Sequence, residues 1–181
     1  MVNRKEEEKQ ELVSLVKLMR RNLELAEQLC VTLTEELDFV KTYIDLERRS
    51  LGATFHPVIE IAGDVLPEQV WLPSMMIQIP VENSVKHALR GKEESGICGL
   101  PQIVGKAVFA SGLRITAAVT IRRAGTEALV QVMKVIMQTI QILNMKNQAA
   151  IDISVHNVTL PSGETGCEVT FLLPDKYDYR I

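Results

Sequence analysis

The sequence predicts an α+β fold, a two-layer sandwich of helices on a sheet with a helical extension in front of it. Two stretches with helical periodicity come first, at residues 4–29 and 33–46. A strand, a helix, a strand and a second apolar helix then alternate, and two further strands follow around the turn-rich PSGETG loop. Helices interleaved with strands that lead into an antiparallel hairpin indicate a layered α+β sandwich.

The composition fits one domain with a core and excludes several classes of function. The chain has 181 residues, of which 46% are hydrophobic. A net charge of −3 and only 4% aromatic residues argue against a nucleic-acid partner, which favours a basic, aromatic surface. Three widely spaced cysteines, Cys30, Cys98 and Cys167, predict reduced thiols in the cytoplasm. No apolar run approaches the roughly 18 residues that span a bilayer, so we expect a soluble chain.

The first predicted helix, at residues 4–29, carries an apolar stripe. Two interpretations stay open, because a single stripe does not identify its partner. The helix packs on its own domain, or it pairs with a second subunit. The stripe consists of Leu12, Leu15, Val16, Leu18, Met19, Leu23, Leu25, Ala26 and Leu29.

The second predicted helix begins with a capping signal. Thr32 followed by Glu35 fits a capping box, helical periodicity continues over residues 33–46, and Gly52 is a natural terminator. The next segment, FHPVIEIAGDV, alternates around Val58 and Ile61 and predicts a strand closed by a Gly-Asp turn.

Two more helices complete the pattern. Pro73 stands where a helix would begin, and this helix is predicted to run to about Leu89 with a kink or break at Pro80. Residues 130–143 form an apolar helical run that ends at Asn144.

The segment VENSVKHAL carries a strip of polar side chains, because residues three and four apart share one face of a helix. Asn83 offers Mg²⁺ a neutral oxygen, Lys86 can approach phosphates, and Glu82 can polarise an attacking group. The alternative is an ordinary solvated face of charged residues. The strip consists of Glu82, Asn83, Lys86 and His87.

The block LTEELDFVKTYIDLERRSLG…WLPSMMIQIPVENSVKHAL resembles the LytS-like sensor histidine kinases. The resemblance covers residues 32–89 and resumes over residues 133–174. It implies the ATPase fold shared by histidine kinases, gyrase, Hsp90 and MutL. Residues 1–31 would then be a remnant of the dimerisation region, and residues 32–181 the ATP-binding catalytic domain.

The resemblance also implies roles for individual residues. Asn83 would bind Mg²⁺, and Glu82 would act as general base or water-orienting group. The γ-phosphate of ATP would pass to a histidine and then to a response regulator. The family's PHFLFN-like acceptor box does not occur here, so we expect no phosphorylation in cis. A homodimer through the N-terminal helices and a membrane attachment through an upstream region are further implications. The residues expected near the nucleotide phosphates are Asn83, Lys86, His87 and Lys134.

Two family elements are missing from the written residues: the DNGxG box, whose Asp reads adenine, and a GTGTG phosphate turn before Met133. Read from the third base of each written codon, residues 127–132 can encode Gly-Thr-Gly-Thr-Gly, and residues 114–120 can encode Asp-Asn-Gly-x-Gly-Tyr. We therefore hypothesise that a segment from about residue 95 to residue 132 comes from a displaced reading frame. If the written residues are real, GICGLPQIVGKAVFASGL is a poorly patterned insertion. The alternative function is then a non-catalytic dimerisation or docking module.

Overall fold

The computed structural model describes residues 2–51, 58–61, 65–91, 102–108, 112–119, 126–159 and 165–180. These residues form an α+β fold of four helices and seven strands, so the predicted class is confirmed at that level. The elements in chain order are α1 (Val2–Ala26), β1 (Cys30–Thr32), α2 (Leu33–Leu51), β2 (Val58–Ile61), β3 (Trp71–Pro73), α3 (Gln78–Gly91), β4 (Gln102–Val108), β5 (Gly112–Val119), α4 (Thr126–Asn144), β6 (Asp152–Thr159) and β7 (Thr165–Leu173).

The strands form two sheets. A five-stranded sheet has the order β2-β4-β5-β7-β6, and a two-stranded antiparallel sheet pairs β1 with β3. The pairing of β2 with β4 is parallel, and every other pair in the larger sheet is antiparallel. The hairpin of β6 and β7 agrees with the sequence prediction, while its PSGETG loop lies mostly outside the described residues.

The stretch expected to be a poorly patterned insertion contains a regular strand. Strand β4 pairs along its length with β5 and also with β2, so its backbone groups have hydrogen-bonding partners on both sides. The expectation was therefore wrong for residues 102–108. The rest of that segment lies mainly outside the described residues.

The capping box of α2 is present as predicted. The Glu35 carboxylate accepts hydrogen bonds from the backbone N–H of Thr32 at 2.9 Å and from its Oγ1 at 3.0 Å. In return the backbone N–H of Glu35 donates to Thr32 Oγ1 at 3.3 Å. These reciprocal bonds satisfy N–H groups that a helix start leaves without intrahelical partners. They explain why α2 begins at Leu33.

The start of α3 corrects two predictions. Pro73 does not open a helix: it ends strand β3, where it lies opposite Cys30, and α3 begins only at Gln78. Pro80 is the third residue of α3, and helical structure continues through it to Gly91 without a break. A proline is tolerated there because N–H groups of the first turn have no intrahelical acceptor.

The core joins α2, α3 and α4 to β7. Its largest fully buried side chains include Phe39 of α2, Phe171 of β7 and Met133 and Ile136 of α4. Helix α1 joins this core only near its C-terminal end, where Leu25 is buried and Leu18 partly buried. The other apolar side chains that the structure describes on α1 stay exposed, so packing on its own domain accounts for only part of the stripe. None of the described helices is long and apolar enough to cross a membrane.

Candidate functional site

The polar strip lies on the second and third turns of α3. Glu82 and Asn83 are half-buried, while Val81 and Val85 are buried in the core, as their helical spacing predicts. Lys86 and His87 belong to α3 by their backbone, but their side chains lie outside the described residues. The structure therefore defines the side-chain positions of Glu82 and Asn83, which are half of the strip.

The side-chain amide of Asn83 has a fixed orientation. Its Nδ2 donates a hydrogen bond to the backbone carbonyl of Ile79 at 3.0 Å, one helical turn earlier. Because the nitrogen is engaged with the helix backbone, the oxygen Oδ1 is the atom that remains to face a ligand. A neutral amide oxygen of this kind is a ligand that Mg²⁺ accepts while it keeps several waters.

The carboxylate of Glu82 is held by Gln78, four residues earlier on the same face. Gln78 Nε2 donates to Glu82 Oε1 at 2.8 Å, and Gln78 itself is only 3% exposed. The opposite amide atom, Gln78 Oε1, is buried without a hydrogen-bonding partner in the part of the chain that the structure describes. A buried polar atom of this kind is costly and marks a place where a bound water or ligand group would be stabilised.

Helix α2 contributes a tyrosine to the electrostatics of this region. Burial raises the pKa of Tyr43 above its ordinary range, and the negative charges of Glu47 and Glu82 raise it further. Tyr43 is 7% exposed and belongs to the core cluster. The phenol therefore stays protonated over the physiological range.

Sequence reasoning missed Glu36, the completely buried carboxylate of α2. It accepts hydrogen bonds from the backbone N–H groups of Met75, Ile77 and Gln78 at the start of α3; the last two measure 3.0 Å. A signal was available, because helical spacing places Glu36 on the same face as the apolar residues Leu33 and Val40. An acid on such a stripe is unusual unless it has partners.

Lys134 lies on the exposed side of α4, next to the buried Met133. Because α4 begins at Thr126, Lys134 lies in the interior of the helix rather than at its first turn. Residues 126–132 are helical, although the resemblance implies a glycine-rich phosphate turn there. The phosphate role of Lys134 stays a prediction.

A cavity of about 1100 Å³ opens beside the C-terminal segment and not beside α3. Its walls include Cys30, Trp71, Tyr177 and the basic residues Lys146 and Lys176. No residue of α3 lines it, so this cavity and the predicted site are separate places. Cavity size alone does not identify a ligand, so the polar side chains of α3 remain the candidate site.

The described residues contain no cluster of three or more His, Cys, Asp or Glu side chains that could hold a metal ion. A metal cage built wholly from protein is therefore not found in that part of the chain. One amide oxygen next to a carboxylate instead fits Mg²⁺ that is carried by nucleotide phosphates and waters. Asn83 and Glu82 provide that pair.

Comparisons with known proteins relate part of the chain to sensor kinases. A family model described as Histidine kinase matches residues 1–55, which include α1 and α2. Sensor protein LytS of Enterococcus faecalis is 34% identical over 84 residues, and Sensor protein LytS of Bacillus subtilis is 32% identical over 83. Sensor histidine kinase/phosphatase LytS of Staphylococcus aureus is also 32% identical over 83 residues. Each match covers 46% of this chain and only 14% of the relative.

Proposed function

We propose that residues 32–181 are the ATP-binding catalytic part of a LytS-like sensor histidine kinase, because part of the chain is similar to such kinases. The ATPase fold shared with gyrase, Hsp90 and MutL is part of this proposal. The domain binds ATP with Mg²⁺ and transfers the γ-phosphate to a histidine that lies outside the predicted site. A response regulator then receives the phosphoryl group.

The observation that carries this proposal is the pair Glu82–Asn83 on α3. Each side chain is oriented by a hydrogen bond within its own helix, Glu82 by Gln78 and Asn83 by Ile79. Groups whose orientation is fixed in advance lose less freedom when they bind a ligand. A carboxylate and an amide oxygen on adjacent residues suit a proton acceptor beside a magnesium ligand.

In the proposed reaction Asn83 Oδ1 would hold Mg²⁺, and the ion would supply neutralisation of charge on the transferred phosphate. Glu82 orients the attacking group and accepts its proton. Lys86, His87 and Lys134 are proposed phosphate contacts, because a flexible ammonium or imidazolium can approach a phosphate as a point charge.

The N-terminal helix α1 indicates a second copy of this chain as a partner. We propose that α1 pairs with the α1 of a second copy, because several of its large apolar side chains are exposed on the single chain. Residues 1–31 would then belong to the dimerisation region. A membrane attachment would come from a region upstream of this chain, which would place these residues on the cytoplasmic side.

Calorimetric titration of Mg-ATP tests the proposal. We expect a dissociation constant between micromolar and millimolar, and about a 10-fold to 100-fold loss of magnesium-dependent affinity in Asn83→Ala. Asn22→Ala is the matched control, since it makes the same change on α1 and should bind as the unchanged protein does. Failure of the unchanged protein to bind Mg-ATP would contradict the kinase proposal.

The second candidate function is a non-catalytic dimerisation or docking module. The exposed apolar side chains of α1 favour it, together with the absence of an Asp from LRITAAVTIRRAG. A stable dimer that binds no nucleotide would support this candidate over the kinase.

A further inference from the structure

The carboxylate of Glu36 connects two helices that are far apart in the sequence. Glu36 lies on α2, is 0% exposed, and accepts hydrogen bonds from backbone N–H groups about 40 residues later. The N–H of Gln78 belongs to the first residue of α3, and the N–H of Ile77 lies directly before it. A buried carboxylate without partners would be very costly; these three bonds offset part of its loss of water, and burial still raises the pKa of Glu36.

The start of α3 depends on this carboxylate. Its own first turn contains no acidic residue, so the N–H groups and the positive end of the helix dipole are matched by α2 instead. Met75, which precedes the helix, has a φ of 66°, a left-handed conformation that a non-glycine residue adopts at a cost. Its N–H donates to Glu36, which compensates part of that cost.

Gln78 connects the Glu36 carboxylate to the candidate site. Its backbone N–H donates to Glu36 Oε2 at 3.0 Å, and its side-chain Nε2 donates to Glu82 Oε1 at 2.8 Å. The position of the Glu82 carboxylate therefore depends, through one residue, on the carboxylate of α2. Asn83 is the next residue along the same turn.

The same segment is also tied to the end of α1. The hydroxyl of Ser74 donates to the backbone carbonyl of Leu25, and the N–H of Ser74 donates to the carbonyl of Leu29 at 3.0 Å. Arg21 of α1 also donates a hydrogen bond to the carboxylate of Glu35 on α2 at 3.1 Å. The segment before α3 thus contacts both helices of the N-terminal pair.

We propose that Glu36 is a positioning residue, which fixes Glu82 and Asn83 relative to α1 and α2 and passes a displacement of these helices to the candidate site. This inference rests on the proposed nucleotide function for its effect on activity. The anchoring of α3 itself does not depend on that function. Glu36 would not touch substrate and would act through Gln78.

The experiment compares the full chain with Glu36→Gln and with the control Glu35→Gln. Both replace a carboxyl group by an amide at the start of α2, but the described contacts of Glu35 are with Thr32 and Arg21 and not with α3. Hydrogen exchange followed by NMR measures the amides of Met75, Ile77 and Gln78, and calorimetry measures Mg-ATP affinity. Urea unfolding of each variant allows the comparison at matched folded fraction.

In Glu36→Gln we expect the three amides to exchange about tenfold faster or more, because both oxygens of Glu36 accept N–H groups and the amide of Gln has only one acceptor oxygen. Mg-ATP affinity should fall about 10-fold to 100-fold, as it does when groups behind a ligand are removed. In Glu35→Gln, which is less stable, both quantities compared at matched folded fraction should stay within about twofold of the unchanged protein. Glu36→Asp, which keeps the charge on a shorter side chain, should restore part of the protection and part of the affinity.

Unchanged amide exchange in Glu36→Gln, or an equal loss of affinity in Glu35→Gln at matched stability, overturns the inference. If Glu36→Gln does not fold, Glu36→Asp provides the same comparison, and unchanged exchange in that variant overturns the inference. If the unchanged protein binds no nucleotide, the kinase proposal fails and the coupling to activity fails with it. The exchange rates then decide separately whether Glu36 anchors α3.

Discussion

The side chain of Asn144 and the backbone of Ile151 are joined by two hydrogen bonds in opposite directions. Asn144 Nδ2 donates to the Ile151 carbonyl at 3.0 Å, and the Ile151 N–H donates to Asn144 Oδ1 at 2.9 Å. Tyr177 Oη also donates to Oδ1, at 2.6 Å. One amide thus connects the last residue of α4 to the residue before β6 and to the C-terminal segment, and it holds Ile151 in the core.

Replacement of this amide should lower stability. In Asn144→Ala the free energy of unfolding should fall by about 1–3 kcal/mol, because the Ile151 backbone groups lose their partners in a partly buried place. Urea denaturation followed by circular dichroism measures the change. Gln148→Ala, at an exposed position nearby, is the control and should leave the midpoint unchanged. Equal midpoints for both variants would contradict this assignment.

The capping carboxylate of Glu35 should make stability depend on pH. The Thr32 N–H and Arg21 hold the pKa of Glu35 below its ordinary value. A carboxyl with a lowered folded-state pKa stabilises the fold above the unfolded value, about 4.3, and this contribution is lost as the pH falls through the folded-state pKa.

Melting temperatures between pH 2 and pH 7 test this dependence. Glu35→Gln should be less stable near neutral pH, by about 0.3–1 kcal/mol, because Gln can keep the capping hydrogen bond but lacks the charge, and it should approach the unchanged protein at the acid end. Asp38→Asn changes an exposed acid of the same helix, and the melting temperature of this variant should vary with pH as that of the unchanged protein does. A constant difference for Glu35→Gln at every pH would exclude the electrostatic explanation.

The thiol of Cys30 should react slowly. Burial raises its pKa to about 11, so that about one thiol in a thousand is ionised at pH 8. In a background with Cys98→Ser and Cys167→Ser, iodoacetamide should modify Cys30 at least about tenfold more slowly in the folded protein than in urea. The rate should rise with pH up to about 11. A rate that levels off near pH 9 would show an ordinary thiol.

The apolar face of α1 should mediate self-association. Leu12, Val16, Met19 and Leu23 are between 50% and 68% exposed and follow one another at steps of three and four. Lysine at Leu12 and Met19 should raise the dimer dissociation constant at least about a hundredfold, because a charge would be buried in each copy.

Sedimentation velocity over a range of concentrations measures that constant. Gln10→Lys combined with Gln28→Lys adds the same charge at exposed polar positions and should leave association unchanged. A chain that is monomeric at every concentration, or a control that dissociates equally, would contradict pairing through this face.

The reading-frame hypothesis makes a separate prediction. The codons for residues 114–120 and 127–132 should spell DNGxGY and GTGTG when read from their third base. A chain with the displaced segment restored should bind Mg-ATP at least about tenfold more tightly than the written chain, because it regains a buried contact to adenine. Codons that do not encode both motifs in the shifted frame would refute the hypothesis.

The sequence by itself determined the features that depend on near neighbours. The cap of α2 joins Thr32 and Glu35, three residues apart, and its signature is visible because the partners always meet when a helix forms there. The hairpin of β6 and β7 and the end of α4 at Asn144 follow from alternation and periodicity in the same way.

Only the tertiary structure decided where α3 begins and what holds its polar residues. Pro73 favours a helix start locally, but pairing with Cys30 makes it the end of a strand. The N–H groups that open α3 are bound by Glu36, a residue of another helix. No local pattern joins residues about 40 positions apart. Such contacts form only when packing brings the helices together and removes the water that would otherwise solvate the carboxylate.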